Sequence, residues 1–263
     1  RLVGSEMCIR DRIIIIILIW VIFMMMKCNT SFNLGIDNKA LSRGFVLPLK
    51  VNCKKTPHIL LCGSTGSGKT YALKYILKQL AISNSLIYLC DYKGIDFIAM
   101  QECGRYYKHQ NVSEGVNTVF DLLQNRMENP TLDNQACFLV FDEWSGFLAS
   151  VPKKQQEEFK QKLASILMLG RGVGIFLLLA MQRCDTTNFL SGARDNFGVA
   201  LGLGRLSKES ARMLFSDEAD LIEPKPRGHG YLRVDGQPTV EIVIPKIRDM
   251  SITDKVIKNA LCE

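Results

Sequence analysis

Histidine is scarce: only His58, His109 and His229 occur, and they do not cluster. That leaves little room for imidazole proton transfer or a His-rich metal centre. The nine cysteines are odd in number and include no C-x-x-C pair, which argues against both a zinc ribbon and a disulfide scaffold. Cys62, Cys90 and Cys137 lie in apolar strand-like runs and read as small core residues, so the chain reads as reduced and cytoplasmic. Internal repeats and low-complexity tracts are missing after Met26, and 263 residues leave no space for a second large domain. A guanine-reading Asn/Thr-Lys-x-Asp stretch and a compact arginine-rich lid of the kind a kinase needs are both lacking. Charge of one sign is not segregated: 33 basic residues against 26 acidic ones give +7, spread along the chain. This balance suits a polyanionic partner.

Long hydrophobic runs are also wanting. The apolar run Ile13 to Met26 has 14 residues, short of the ~20 that a bilayer-spanning helix requires. Arg1 to Arg12 reads as translated adapter sequence, with Met24-Met25-Met26-Lys27 as the start region. Residues 1–23 are then expected to be non-biological, and their three basic and two acidic residues contribute +1, leaving +6. The other reading of residues 13–26 is a short membrane anchor.

What is present is a phosphate loop. Gly63-Ser64-Thr65-Gly66-Ser67-Gly68-Lys69-Thr70 fits G-x-x-x-x-G-K-[ST] without substitution. Glycines let successive backbone N–H groups face phosphate oxygens, Lys69 reaches the terminal phosphates, and the Thr70 hydroxyl ligates Mg²⁺. The apolar run Ile59 to Cys62 precedes the loop, and Leu73, Ile76, Leu77 and Leu80 follow at helical spacing. This is the strand–loop–helix context the motif demands.

Short apolar runs then alternate with helical patterns, predicting a parallel sheet covered on both faces. Strands are expected at Ile59 to Cys62, Leu86 to Cys90, Phe138 to Phe141, Ile175 to Ala180 and Val199 to Leu203. Helices are expected at Ser113 to Met127, Lys153 to Leu169 and Lys208 to Phe215. A terminal hairpin is expected around Asp235-Gly236, and Glu128 to Gln135 reads as a loop.

Asp142-Glu143 closes the apolar run Cys137 to Phe141, placing two carboxylates at a strand's carboxyl end, where open α/β sheets bind ligands. With the phosphate loop upstream this reads as a Walker B site. Asp142 holds the Mg²⁺ shell and Glu143 orients or deprotonates the attacking water. Gln182 ends the next strand, where its amide could reach the γ-phosphate or its water; a polar strand end is the plainer reading. Arg171, in Gly170-Arg171-Gly172, is poorly placed for its own nucleotide and well placed to reach a neighbour's. It reads equally as a helix-terminal arginine favoured by the dipole.

The ordered motifs resemble the FtsK/SpoIIIE-type DNA translocases of the HerA-FtsK superfamily, from about Thr56 to Ile247. The carriers are Pro57-His58-Ile59-Leu60-Leu61 into the phosphate loop, Asp91-Tyr92-Lys93 (Asp-Pro-Lys is usual), Val140-Phe141-Asp142-Glu143, Arg171-Gly172-Val173-Gly174-Ile175, Ala180-Met181-Gln182-Arg183, and Ser207-Lys208 with Arg212. The resemblance implies a RecA-like P-loop NTPase: α/β, mainly parallel sheet, helices on both faces and a C-terminal β-hairpin. It implies ATP with Mg²⁺, Arg171 as an arginine finger in trans, and Gln182 as a sensor. Arg183, Arg194, Lys208 and Arg212 would grip double-stranded DNA inside a homo-hexamer; isolated surface cations are their plainer reading.

The expected organisation is a doubtful segment at 1–26, a lead-in strand region at 27–55, the motor at 56–247 and a tail at 248–263. The expected function is an ATP-hydrolysing translocase of duplex DNA serving a mobile element or phage. The alternatives are a coupling ATPase with a membrane or conjugation-machinery partner, and a nucleotide-binding ring that does not hydrolyse.

Overall fold

The computed structural model describes residues 30–130 and 135–262. The expectations for residues 1–26, and part of those for the tract after Glu128, lie outside the described residues.

In chain order, β1 (Ser31–Asp37), α1 (Asn38–Ser42) and β2 (Pro48–Asn52) lead into β3 (Ile59–Gly63) and α2 (Lys69–Ile82). β4 (Leu86–Asp91), β5 (Tyr106–Lys108) and α3 (Val112–Glu128) follow, then β6 (Cys137–Asp142), α4 (Trp144–Ser150), α5 (Lys153–Leu169) and β7 (Ile175–Met181). After these come β8 (Val199–Leu203), α6 (Lys208–Phe215), the hairpin strands β9 (His229–Val234) and β10 (Val240–Val243), and α7 (Met250–Cys262).

The ten strands of the described residues form one sheet in the order β2-β1-β10-β9-β8-β3-β7-β6-β4-β5. From β8 to β5 every pairing is parallel. From β8 outward to β2 every pairing is antiparallel. The parallel strands are apolar almost throughout because both their faces are covered. Side chains of β3, β6 and β7 alternate between the two: Ile59, Leu61, Phe138, Val140, Phe176 and Leu178 pack beneath α2 and α7. Leu60, Leu139, Phe141, Leu177 and Leu179 pack against α3, α4, α5 and α6. This is the RecA-like arrangement expected.

The expected strands and helices stand within a residue or two of their predicted bounds. α6 starts sharply at Lys208 because the Ser207 hydroxyl accepts from the Ser210 amide at 3.2 Å, closing a side-chain N-cap. Three helices, the short α1 together with α4 and α7, were not foreseen. α4 begins directly after Glu143 and buries Trp144 and Phe147 against Phe141. The expected tail at 248–263 contains α7, whose Thr253, Ile257 and Leu261 are buried at four-residue spacing.

α7 also corrects the reading of uniformly reduced thiols. Its last residue, Cys262, is disulfide-bonded to Cys103, 159 residues upstream. Sequence spacing could not pair them, because only the return of α7 onto the segment after β4 brings them together. Cys53, Cys62, Cys90, Cys137 and Cys184 are free and buried, as core residues would be.

Candidate active site

β7 lies between β3 and β6, and the register sets Leu61, Ala180, Asp142 and Asp91 side by side across four parallel strands. The residues that follow these positions therefore meet at one edge of the sheet. Gly63 opens the phosphate loop, Gln182 follows β7, and the acidic pair ends β6. Residues as far apart in sequence as Lys69 and Glu143 become neighbours for this reason alone.

The loop's glycines are required by its shape. Gly66 and Gly68 have φ of +83° and +98°, a region that disfavours a Cβ. Gly68 is the left-handed residue from which α2 starts at Lys69. A Cβ on Gly63 would land on the Ser67 hydroxyl, and one on Gly204 would lie 2.8 Å from Ser67 Cβ. The loop thus packs closely around Ser67 and turns through left-handed backbone at Gly66 and Gly68, a shape in which its amides can face an anion.

Lys69 is buried and turns its ammonium to both acids: 3.1 Å to Glu143 Oε2 and 3.4 Å to Asp142 Oδ1. Glu143 is further held by hydrogen bonds from the Ser145 hydroxyl at 2.9 Å and the backbone N–H of Gln182 at 3.3 Å. Its backbone is left-handed, φ 70°, a costly conformation for a non-glycine residue. The chain accepts it to leave β6, where Glu143 N still bonds Ala180 O, and enter α4 at once. Burial pushes the Glu143 carboxyl up, but the Lys69 charge and these donors outweigh it and hold the group below its ordinary value. Asp142 is different. Burial raises its carboxyl to about 6 against the opposing pull of Lys69, and neither carboxylate oxygen receives a hydrogen bond. A fully buried carboxylate with open lone pairs is suited to a hard cation. Thr70 Oγ1 lies 3.5 Å from Asp96 Oδ2, at the opening of the same crevice.

A cavity of about 250 Å³ lies over the loop, lined by Gly68, Lys69, Thr70, Gln182 and, unforeseen, Lys93, Asp96 and Arg227. Lys93 is 3.4 Å from Glu143 Oε2. The turn that carries it is anchored by fully buried Asp91, which accepts from Gly94 N at 3.0 Å, Phe97 N at 3.3 Å and Tyr106 Oη at 3.1 Å. The Asp-x-Lys spacing was a visible signal for Lys93. For Arg227, 158 residues beyond Lys69, sequence offered none. The Gln182 side chain faces the loop, with Thr65 Oγ1 3.4 Å from its Oε1.

The remaining expected residues divide between two poles of the sheet. Arg183, Lys208 and Arg212 stand at the carboxyl pole beside Gln182, all exposed, with Glu209 3.7 Å from Arg183. Arg171 and Arg194 precede β7 and β8 and lie at the amino pole. At ~3.3 Å per strand residue, the length of β7 separates Arg171 from its own phosphate loop by roughly 20 Å. Arg194 pairs locally with Asp195 at 3.4 Å and does not join the other three cations.

The model of the FtsK/SpoIIIE family matches residues 42–129, a stretch that includes the phosphate loop. The FtsK domain-containing protein YdcQ of Bacillus subtilis (strain 168) is 29% identical over 252 residues, covering 87% of this chain and 52% of YdcQ. Over these residues the chain is similar to the FtsK/SpoIIIE family. The chain is also 28% identical over 234 residues to the ESX secretion system protein EccC of Thermomonospora curvata, covering 73% of the chain and 17% of EccC. It therefore spans about half the length of the first relative and under a fifth of the second. The same fold occurs in the pCW3 conjugation coupling protein TcpA, solved as a monomer with ATPγS, at a TM-score of 0.70. There the identity is 20%, over 88% of this chain and 71% of TcpA. Among the described residues no helix is long and apolar enough to cross a membrane.

Proposed function

We propose that this chain is an ATP-hydrolysing motor that moves double-stranded DNA, working as a homo-hexameric ring in a mobile-element or conjugation setting. The observation that carries this reading is the shared contact of Lys69 with Asp142 and Glu143, 3.4 and 3.1 Å away at the mouth of a glycine-walled loop. A lysine already within reach of both acids exchanges them for the β- and γ-phosphates of ATP when nucleotide enters. Residues 63–70 would cradle the phosphates. Thr70 and Asp142 would hold Mg²⁺, whose chemistry there is to neutralise charge on the phosphate oxygens. Phosphate oxygens and water would complete its coordination.

Glu143, released by Lys69 yet still steadied by Ser145 and the Gln182 amide, orients the attacking water and accepts its proton. Gln182, at the end of the strand between loop and acid pair, would report the γ-phosphate's loss to Arg183 next to it. Arg171, about 20 Å from its own site along β7, would complete a neighbouring subunit's site as an arginine finger. Arg183, Lys208 and Arg212 would contact DNA phosphates without reading sequence, as a motor on arbitrary DNA requires.

A coupling ATPase that moves a secreted protein is the second reading, favoured by the similarity to EccC. The test is ATP turnover with and without long duplex DNA at 50 and 200 mM salt. The DNA reading expects stimulation that falls steeply with salt. Turnover indifferent to DNA at both concentrations contradicts it and favours the secretion reading.

A further inference from the structure

Arg227 lies outside every motif of the chain, yet it lines the same cavity as Lys69 and Gln182. Its placement is built from backbone. Gly228, at φ +77°, donates its amide to Ser67 O inside the phosphate loop at 2.8 Å. Lys225 N bonds Gly204 O at 3.1 Å, His229 N bonds Pro226 O at 3.0 Å, and Gly228 O accepts from Ile244 N at 2.8 Å. The turn 225–228 is thereby pinned to the loop on one side and to the β9–β10 hairpin on the other. The aliphatic stem of Arg227 crosses Gly68, with Cγ 3.7 Å from the position a Cβ would take there.

The other cations of the crevice are committed, Lys69 to the acid pair and Lys93 to Glu143, and Lys225 in the same turn as Arg227 pairs away from it with Glu241 at 2.9 Å. The guanidinium of Arg227 is exposed and pairs with no carboxylate among the described residues. A planar five-donor cation held over phosphate-binding amides, with no acid to answer it, is arranged for an anion.

We propose that Arg227 is a nucleotide-binding residue in cis, gripping the α- and β-phosphates from the side of the loop opposite Glu143. The assignment to these phosphates follows from its stem lying on Gly68, in the backbone cradle. The γ-phosphate end, in contrast, is marked by Lys69, Glu143 and Gln182. The proposal rests on the nucleotide reading above. It adds that occupancy of the site is felt by the antiparallel hairpin through the 225–228 turn.

Titration with mant-ATP and mant-ADP in the presence of Mg²⁺ tests it on the full chain, using wild type, Arg227→Ala, Arg227→Gln, Arg227→Lys and Lys69→Ala. Loss of one charge-assisted contact corresponds to about a tenfold weakening. Arg227→Ala and Arg227→Gln are expected to weaken mant-ATP and mant-ADP by that same factor, with Arg227→Lys recovering most of it and the difference shrinking at high salt. If both nucleotides bind the Ala and Gln variants within twofold of wild type, Arg227 has no such role and the nucleotide reading stands. If only mant-ATP weakens, the assignment to α- and β-phosphates is overturned. Wild type that binds neither nucleotide removes the nucleotide reading itself, and this inference with it.

Discussion

Lys69 Nζ sits 3.1 Å from Glu143 Oε2 and 3.4 Å from Asp142 Oδ1, so one buried ammonium answers two buried carboxylates. Lys69→Ala removes the cation and leaves the acids facing each other, and such truncations cost about 3 kcal/mol or more. In the variant both carboxyls shift upward. A carboxyl raised in the folded state favours folding at low pH and loses that contribution as pH rises through its folded value. The thermal midpoint of Lys69→Ala should therefore fall further below wild type at pH 8 than at pH 5, and ATP turnover should vanish at both.

Arg171 is exposed and about a strand's length from its own phosphate loop. Its removal should spare stability and nucleotide affinity while lowering turnover by roughly 10³ or more, as for arginine fingers elsewhere. Mixing Arg171→Ala with Lys69→Ala, each inactive alone, should restore measurable hydrolysis, because some interfaces then combine an intact loop with an intact finger. An inactive mixture of co-assembled subunits contradicts action in trans.

The two poles of the sheet separate the basic residues that the motifs had grouped. Arg183→Ala, Lys208→Ala and Arg212→Ala should each lower DNA stimulation of turnover and reduce its salt dependence by about one phosphate contact. Arg194→Ala, at the other pole and paired with Asp195, should change neither. Equal effects from all four would place the DNA path differently.

His58 is fully buried in β3's approach, where its Nδ1 accepts from Leu177 N at 3.0 Å, and burial lowers its pKa to about 4. The unfolded chain binds this proton near pH 6.5, so the contribution is complete above 6.5 and is lost as pH falls towards 4. Asp142, raised by burial to about 6, works in the opposite direction over much of the same window. A comparison at fixed Asp142 isolates the histidine. Between pH 7 and 4.5 wild type should lose roughly 2 kcal/mol more than His58→Asn, read from urea midpoints. Asparagine suits the positive φ of this position.

Much of this architecture was legible in the residues. Both covered faces leave continuous apolar runs in the parallel strands, and the phosphate loop has a composition that few other structures demand. What escaped was mostly long-range or short. β5 has three residues, too few for a period, and α7 hides its narrow apolar stripe among polar residues. Lys93 and Arg227 enter the crevice from turns that tertiary hydrogen bonds position. The Cys103–Cys262 bond depends on a helix returning across the whole domain. Arg194 falls at the opposite pole from Arg183, Lys208 and Arg212, because spacing records order along a chain and not the end of the sheet reached.

That bond also decides where mechanical load can travel. Once the packing is lost, tension between residue 30 and residue 262 runs down the chain to Cys103 and crosses the sulfurs directly. The acid pair, Gln182 and Arg227 then lie inside a closed covalent loop that a pull on the two ends does not extend.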